Sequence, residues 1–252
     1  MDLGLTGARA VVTGGSRGIG KAIARQLALE GADVVIAARN GGPLEVTAGE
    51  LSRETGRRVI PITVDTGKED SVNRLVAAAI ERLGRVDILV NNAAVPGGIS
   101  PATQLAQVVD SEALEDINIK VIGYLRTARA LAPHLVKNGW GRIINIGGLA
   151  IHRTGRPVAT LRNVGVAAIT KNLDDELGPK GVNVVAVHPG ATRTERTDPN
   201  NEKALAANVS IGRIVDASEV AWVVAFLASP RSVAINGDAI ATGGGSLGTI
   251  HY

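Results

Sequence analysis

The sequence predicts an α/β fold, a doubly wound parallel β-sheet of about seven strands with helices on both faces. Apolar runs rich in Val and Ile alternate along the chain with longer amphipathic stretches, the pattern of repeated β-α units. A glycine-rich turn, Thr13-Gly14-Gly15-Ser16-Arg17-Gly18-Ile19-Gly20, joins the first apolar run to the first amphipathic stretch. Hydrophobic residues make up 45% of the chain but aromatics only 2%, so the core must be aliphatic, as suits strands covered on both faces.

The first strand is placed at Arg9–Val12. The glycines after it permit a tight turn and a close backbone approach to a diphosphate, and helix Gly18–Leu29 offers its free N–H groups there. Strand Asp33–Ala37 leads to helix Leu44–Thr55, and strand Arg58–Val64 to helix Asp70–Leu83. Asp70 is read as a helix start because it stands just before a periodic apolar run. Strand Asp87–Asn91 precedes a long helix, Ser111–Lys137. Strand Arg142–Ile146 is followed by helix Val164–Leu177 and strand Asn183–Val187. Segment Pro189–Ser210 is rich in Thr, Asn and charge and reads as an ordinary loop or a mobile lid. Helix Ala217–Leu227, with Ser218 near its start, and strand Asp238–Ala241 complete the series. No Pro/Ser-rich linker, repeat or composition break interrupts it, so residues 1–252 read as one domain.

The 252 residues contain no cysteine, which excludes disulfides and thiolate metal sites and fits a reducing cytoplasm. The net charge of +3 is scattered, so no nucleic-acid partner is expected. The N-terminal stretch shows no signal-peptide pattern, and no apolar run is long enough to span a bilayer. A cytoplasmic protein with no membrane partner is expected. There is no HExxH, no carboxylate cluster with metal spacing and no GxSxG turn, so no metal is expected.

The motifs together resemble the short-chain dehydrogenase/reductase family over nearly the whole chain. The turn TGGSRGIG is similar to that family's TGxxxGxG. Asn91-Asn92-Ala93-Ala94 resembles its NNAG, and Gly141-Arg142-Ile143-Ile144-Asn145-Ile146 the strand before its catalytic Ser. His188-Pro189-Gly190 with Thr194 resembles its PG motif, and Thr242-Gly243-Gly244-Gly245 its late glycines. The resemblance implies a Rossmann fold with strand order 3-2-1-4-5-6-7 and a bound nicotinamide cofactor. Gly14, Ser16, Arg17, Gly18, Ile19 and Gly20 would meet its diphosphate. Asp65, with Thr66, would meet the adenine. Asn92, Ala93 and Ala94 would line the riboses, and Pro189, Gly190, Thr192 and Thr194 the nicotinamide. An acidic residue closing the second strand would select NAD(H), but Ala38 stands there, followed by Arg39 and Asn40. With Arg17, Arg39 suits a 2′-phosphate and favours NADP(H) over NAD(H), unless Arg39 is only a solvated loop residue.

The family donates a proton from a Tyr whose pKa a Lys one helical turn later depresses, and a Ser steadies the carbonyl oxygen. Here the Ser position falls on Gly147 or, reading forward from GRIINI, on Gly148. The YxxxK segment falls on Leu161-Arg162-Asn163-Val164-Gly165, so Leu161 replaces Tyr and Gly165 replaces Lys. The remaining tyrosines, Tyr124 and Tyr252, have no Lys four residues on. The family's active-site Asn matches Asn118 from one side of the helix and Lys120 from the other. Lys120 is then either a replacement cation or a surface lysine. Some atypical branches of the family pair a Lys in this region with an Asn in the YxxxK helix, where Asn163 stands. His152, Arg153 and Arg156 follow the fifth strand and are either pocket residues or solvated loop residues. Two functions compete. One is an NADP(H)-dependent oxidoreductase of a small carbonyl or alcohol, with Asn118, Lys120 and His152 as catalytic candidates. The other is a catalytically inactive NADP(H)-binding protein acting as a sensor or oligomer partner. Non-redox chemistry, as in an isomerase or lyase, is a weaker third. The resemblance also implies a homodimer or homotetramer packed through the two long helices, where Gly165, Ala167 and Ala168 would permit close approach, though they would equally suit packing on the sheet.

Overall fold

The computed structural model describes residues 1–248; Tyr252 lies outside the described residues. The chain runs β1 (Arg9–Thr13), α1 (Gly18–Leu29), β2 (Asp33–Ala38), α2 (Gly41–Thr55), β3 (Val59–Thr63), α3 (Glu69–Leu83) and β4 (Ile88–Asn91). It continues through α4 (Asp110–Ile117), α5 (Gly123–Lys137), β5 (Gly141–Ile146), α6 (Pro157–Leu177), β6 (Val182–Pro189), β7 (Thr192–Arg193), α7 (Pro199–Ala206), β8 (Val215–Asp216), α8 (Ala217–Ala228) and β9 (Ala239–Thr242). One sheet of seven strands is ordered β3-β2-β1-β4-β5-β6-β9, and every pairing in it is parallel. This is the expected Rossmann order; its last strand is β9 because the short pair β7–β8 intervenes.

Alternation along each strand divides the core between the two faces. Ala10, Val12, Val34, Ile36, Ile144 and Val185 pack with α1, α2 and α8 on one face. Val11, Val35, Leu89, Ile143 and Val184 pack with α3, α5 and the end of α6 on the other. The chain order reverses between β1 and β4, so a crevice opens at the carboxyl ends of those strands.

Three local differences bear on the site. First, the predicted helix Ser111–Lys137 is interrupted by a π turn at Asn118–Ile122. Such a wider turn adds a residue and so rotates the side chains after it around the helix axis. Second, α6 begins at Pro157, seven residues before the predicted Val164; Pro157 occupies the first helical turn, where its missing N–H costs nothing. Third, the predicted loop Pro189–Ser210 holds β7 and α7, whose cap Asp198 accepts the Asn200 N–H at 2.9 Å. Helix starts also shift slightly. Asp70 lies inside the first turn of α3, and α8 is opened by an Asp216–Glu219 capping box rather than by Ser218.

Candidate active site

The carboxyl ends of the central strands surround a cavity of about 850 Å³. That lies within the usual ~300–1,000 Å³ of small-molecule sites. Its first wall is the glycine turn. Gly14 has φ +68°, and a Cβ on Gly20 would fall 2.2 Å from the Gly14 carbonyl oxygen, so the turn closes only on glycine. Thr13 and Asn92 clamp this turn against the end of β4. Thr13 Oγ1 accepts the Asn92 and Ala93 N–H groups at 3.0 and 3.1 Å, and the Asn92 amide donates to the Thr13 and Gly14 carbonyls. At the mouth of α1, the Gly18 N–H donates to the Glu195 carboxylate at 2.9 and 3.2 Å.

Every sequence-predicted cofactor residue lines this one cavity: Gly14, Ser16, Arg17, Gly18, Ile19 and Gly20 at the turn, then Arg39, Asn40, Asp65 and Thr66. Asn92, Ala93, Ala94, Pro189, Gly190, Thr192 and Thr194 complete the wall. Neither the Arg17 nor the Arg39 guanidinium has a hydrogen bond or ion pair among the described residues.

The catalytic candidates separate. Lys120 lies in the π turn, 4% exposed, and still lines the cavity. Its ammonium donates to the Gly147 carbonyl and to Asn163 Oδ1, both at 2.9 Å. Burial, aided by the nearby Arg162 charge and opposed by Asp116, pushes the Lys120 amine down to about 7. Asn118 does not reach the cavity. Its Oδ1 accepts Arg126 at 2.7 Å and its amide reaches the Gly67 carbonyl, because the π turn carries it toward the loop after β3. His152 is exposed outside the cavity wall, its ring edge-on to His188 with centroids 6.4 Å apart. Tyr124 is no donor to the cavity either. It is fully buried, its hydroxyl donates to the Ile146 carbonyl at 3.0 Å, and burial pushes its phenol up.

Neither residue expected at the YxxxK positions, Leu161 or Gly165, lines the cavity. Leu161 is 56% exposed and outside the cavity wall. A Cβ on Gly165 would meet Val121 at 3.0 Å, with no room for a lysine side chain. The pair one turn apart that faces the cavity is Ala159 and Asn163. Gly148, beside Asn163, has extended backbone, and a Cβ there would lie 3.4 Å from the Asn163 amide. Sequence reasoning also missed Arg162, which is 7% exposed, lines the cavity and pairs with buried Asp116 at 2.8 Å. The readable signal was Pro157, a helix-start residue that brings Ala159, Arg162 and Asn163 into α6.

Residues 8–205 match the short chain dehydrogenase family. The chain belongs to that family. This short chain dehydrogenase is 33% identical over 248 residues to a 3-oxoacyl-(acyl-carrier-protein) reductase of Vibrio harveyi, covering 96% of this chain and 98% of that one. It is 36% identical over 255 residues to a putative ketoacyl reductase of Streptomyces coelicolor, covering 94% and 95%. Its fold matches L-sorbose reductase from Gluconobacter frateurii, complexed with NADPH and L-sorbose, with a TM-score of 0.92 at 28% identity, covering 99% of this chain and 100% of that one. A short chain dehydrogenase from Burkholderia cenocepacia in complex with NADP matches with a TM-score of 0.87 at 34% identity, covering 96% and 98%. The chain is therefore an oxidoreductase of the short chain dehydrogenase type.

Proposed function

We propose that the chain is an NADP(H)-dependent oxidoreductase of a small carbonyl or alcohol, and that Lys120 is its proton donor. The observation that carries this reading is the buried Lys120 ammonium on the cavity wall. An ammonium has three N–H donors. Two are spent on the Gly147 carbonyl and Asn163 Oδ1, which leaves one for a substrate oxygen. The fit of the cofactor is supported by the Gly14–Gly20 cradle, which a Cβ would fill, and by the unpaired Arg17 and Arg39 guanidiniums. Arg39 and Arg17 would hold a 2′-phosphate, and no acid at Ala38 would repel it. The NADPH and NADP complexes of the two structural relatives point the same way. When bound, the cofactor supplies the hydride to the carbonyl carbon.

Within the same proposal, the chain is an atypical member of its family, with Gly148 in the place of Ser, Ala159 in the place of Tyr and Asn163 in the place of Lys. Asn163 then has a positioning role. Its Oδ1 fixes the Lys120 ammonium while its own amide donates to the Ala159 carbonyl at 2.8 Å. Lys120 carries its proton below about pH 7 and has lost it above. Carbonyl reduction needs the charged form, so kcat should fall by about tenfold per pH unit above that point, and alcohol oxidation should rise through it.

The test joins binding to turnover. NADPH should bind more tightly than NADH, with Arg39→Ala weakening NADPH by about tenfold or more and leaving NADH unchanged. A carbonyl panel should show NADPH consumption that Lys120→Ala reduces by at least ~100-fold. Failure of both nucleotides to bind at millimolar concentration would sink the reading. A second reading, an NADP(H)-binding sensor or oligomer partner without turnover, is favoured by the missing hydroxyls at Gly148 and Ala159. It predicts NADPH binding without turnover until Gly148→Ser and Ala159→Tyr are combined.

A further inference from the structure

Five arginines of the cavity wall form two separate groups, apart from Lys120 and from Arg196 of the segment after β7. Arg39 follows β2 and Arg17 lies in the turn after β1. Arg153, Arg156 and Arg162 come from the β5–α6 connection and the start of α6. β2 and β5 are separated in the sheet by β1 and β4, three strand spacings or roughly 14 Å. One nucleotide phosphate cannot account for both groups. The two carboxylates of the wall do not balance the second group. Asp65 follows β3, at the first end, and Glu195 is engaged by the Gly18 N–H.

Two guanidiniums of the second end meet the same loop. Arg156 donates to the Gly97 carbonyl at 2.9 Å and Arg162 to the Val95 carbonyl at 3.2 Å. Those carbonyls are two residues apart, so they lie within about 7 Å of one another. Arg162 is held rigid. Its Nη1 donates to Asp116 at 2.8 Å, and the other Asp116 oxygen accepts the Ile99 N–H at 3.1 Å. Its Nε is buried and has no partner among the described residues. A buried donor without an acceptor costs about 1–3 kcal/mol, and a buried ion pair seldom stabilises a fold by itself. Among the described residues, the Arg153 guanidinium donates only to the Ser246 hydroxyl, at 3.3 Å. Asp116 takes Arg162 Nη1, neutral oxygens take a fraction of the other donors, and the donor edges left over match an oxyanion.

We infer that the β5 end of the cavity receives an oxyanion carried by the substrate, so that the carbonyl compound turned over bears a carboxylate or phosphate group. This inference rests on the proposed oxidoreductase reading for its carbonyl, while the anion site stands on the arginines alone. Arg153 and Arg156 attract and grip the anion at the rim, and Arg162 orients it beside the Lys120 ammonium.

Calorimetric titration of the full chain, with and without saturating NADPH, tests it with matched pairs of probes. Acetoacetate is compared with methyl acetoacetate, and dihydroxyacetone phosphate with dihydroxyacetone. One anionic probe should bind at least tenfold tighter than its neutral partner, and the pair that does so tells carboxylate from phosphate. Arg153→Gln with Arg156→Gln, both on exposed side chains, should remove that preference without altering NADPH affinity. Arg162→Lys keeps the charge opposite Asp116 and should weaken the anion while the protein stays folded. Equal binding of charged and neutral partners, or a preference that survives the double variant, would overturn the inference. Anion preference without NADPH binding would instead fault the cofactor reading and leave the anion site standing.

Discussion

Two adjacent glycines at the end of β5 behave differently. A Cβ on Gly147 would lie 2.1 Å from His188 Nδ1, the atom that accepts the Gly148 N–H at 3.1 Å. The Gly147 carbonyl is also one of the two anchors of Lys120. Gly147→Ala must therefore push His188 aside and move that carbonyl. We expect a loss of about 1–3 kcal/mol in urea unfolding, with NADPH-linked turnover falling too. Gly148 meets only ordinary contact and has extended backbone, so Gly148→Ala should stay within ~0.5 kcal/mol of the parent. Equal losses from the two would contradict the geometry. Neither glycine announces this difference in the sequence, because the crowding comes from a histidine forty-one residues away on β6.

At the scale of elements, β4 and β5 are joined by more than their ladder. Asn91 and Asn145 stand in register, and the Asn91 amide donates to Asn145 Oδ1 at 2.9 Å. Thr127 of α5 donates to Asn91 Oδ1 at 2.6 Å, and Asn145 donates to Thr170 of α6 at 3.0 Å. This buried chain ties two central strands to the two helices flanking the cavity. Asn145→Ala would orphan groups on both sides and should cost about 2 kcal/mol or more, a fall of ~4–8 °C in Tm by calorimetry. Strands and helix order were legible because apolar alternation reports burial directly. The π turn was not legible, since Asn118–Ile122 carries no Pro or Gly to mark it. The same holds for the register of α6. A helix read from Val164 did not show that Ala159 and Asn163, rather than Leu161 and Gly165, line the cavity. The glycine-turn wall of the cavity was readable because glycine turns act through the backbone, whereas the placement of Lys120 depends on a side chain whose direction one extra residue changes.

Viewed as a whole molecule, the helices beside the cavity leave apolar side chains outside. Leu114 of α4 is 67% exposed, and Leu161 and Val164 of α6 are 56% and 44% exposed. We expect a second copy of this chain to cover them, as the family resemblance implies for its long helices. Leu161→Asp with Val164→Asp should shift sedimentation velocity from dimer or tetramer to monomer, with the sheet intact by circular dichroism. The segment after β7 ties the two halves of the cavity together. Glu195 rests on the Gly18 N–H, where an incoming diphosphate would sit, and Arg196, the next residue, also lines the cavity. An anion arriving at α1 would compete with that carboxylate for the Gly18 N–H, and the neighbouring arginine would be displaced with it. We expect time to enter as a queue, nucleotide first and second reactant afterwards. Product-inhibition kinetics should show the oxidised nucleotide competing with the reduced one while the alcohol product does not. Glu195→Gln should shorten the wait, raising the association rate of NADPH.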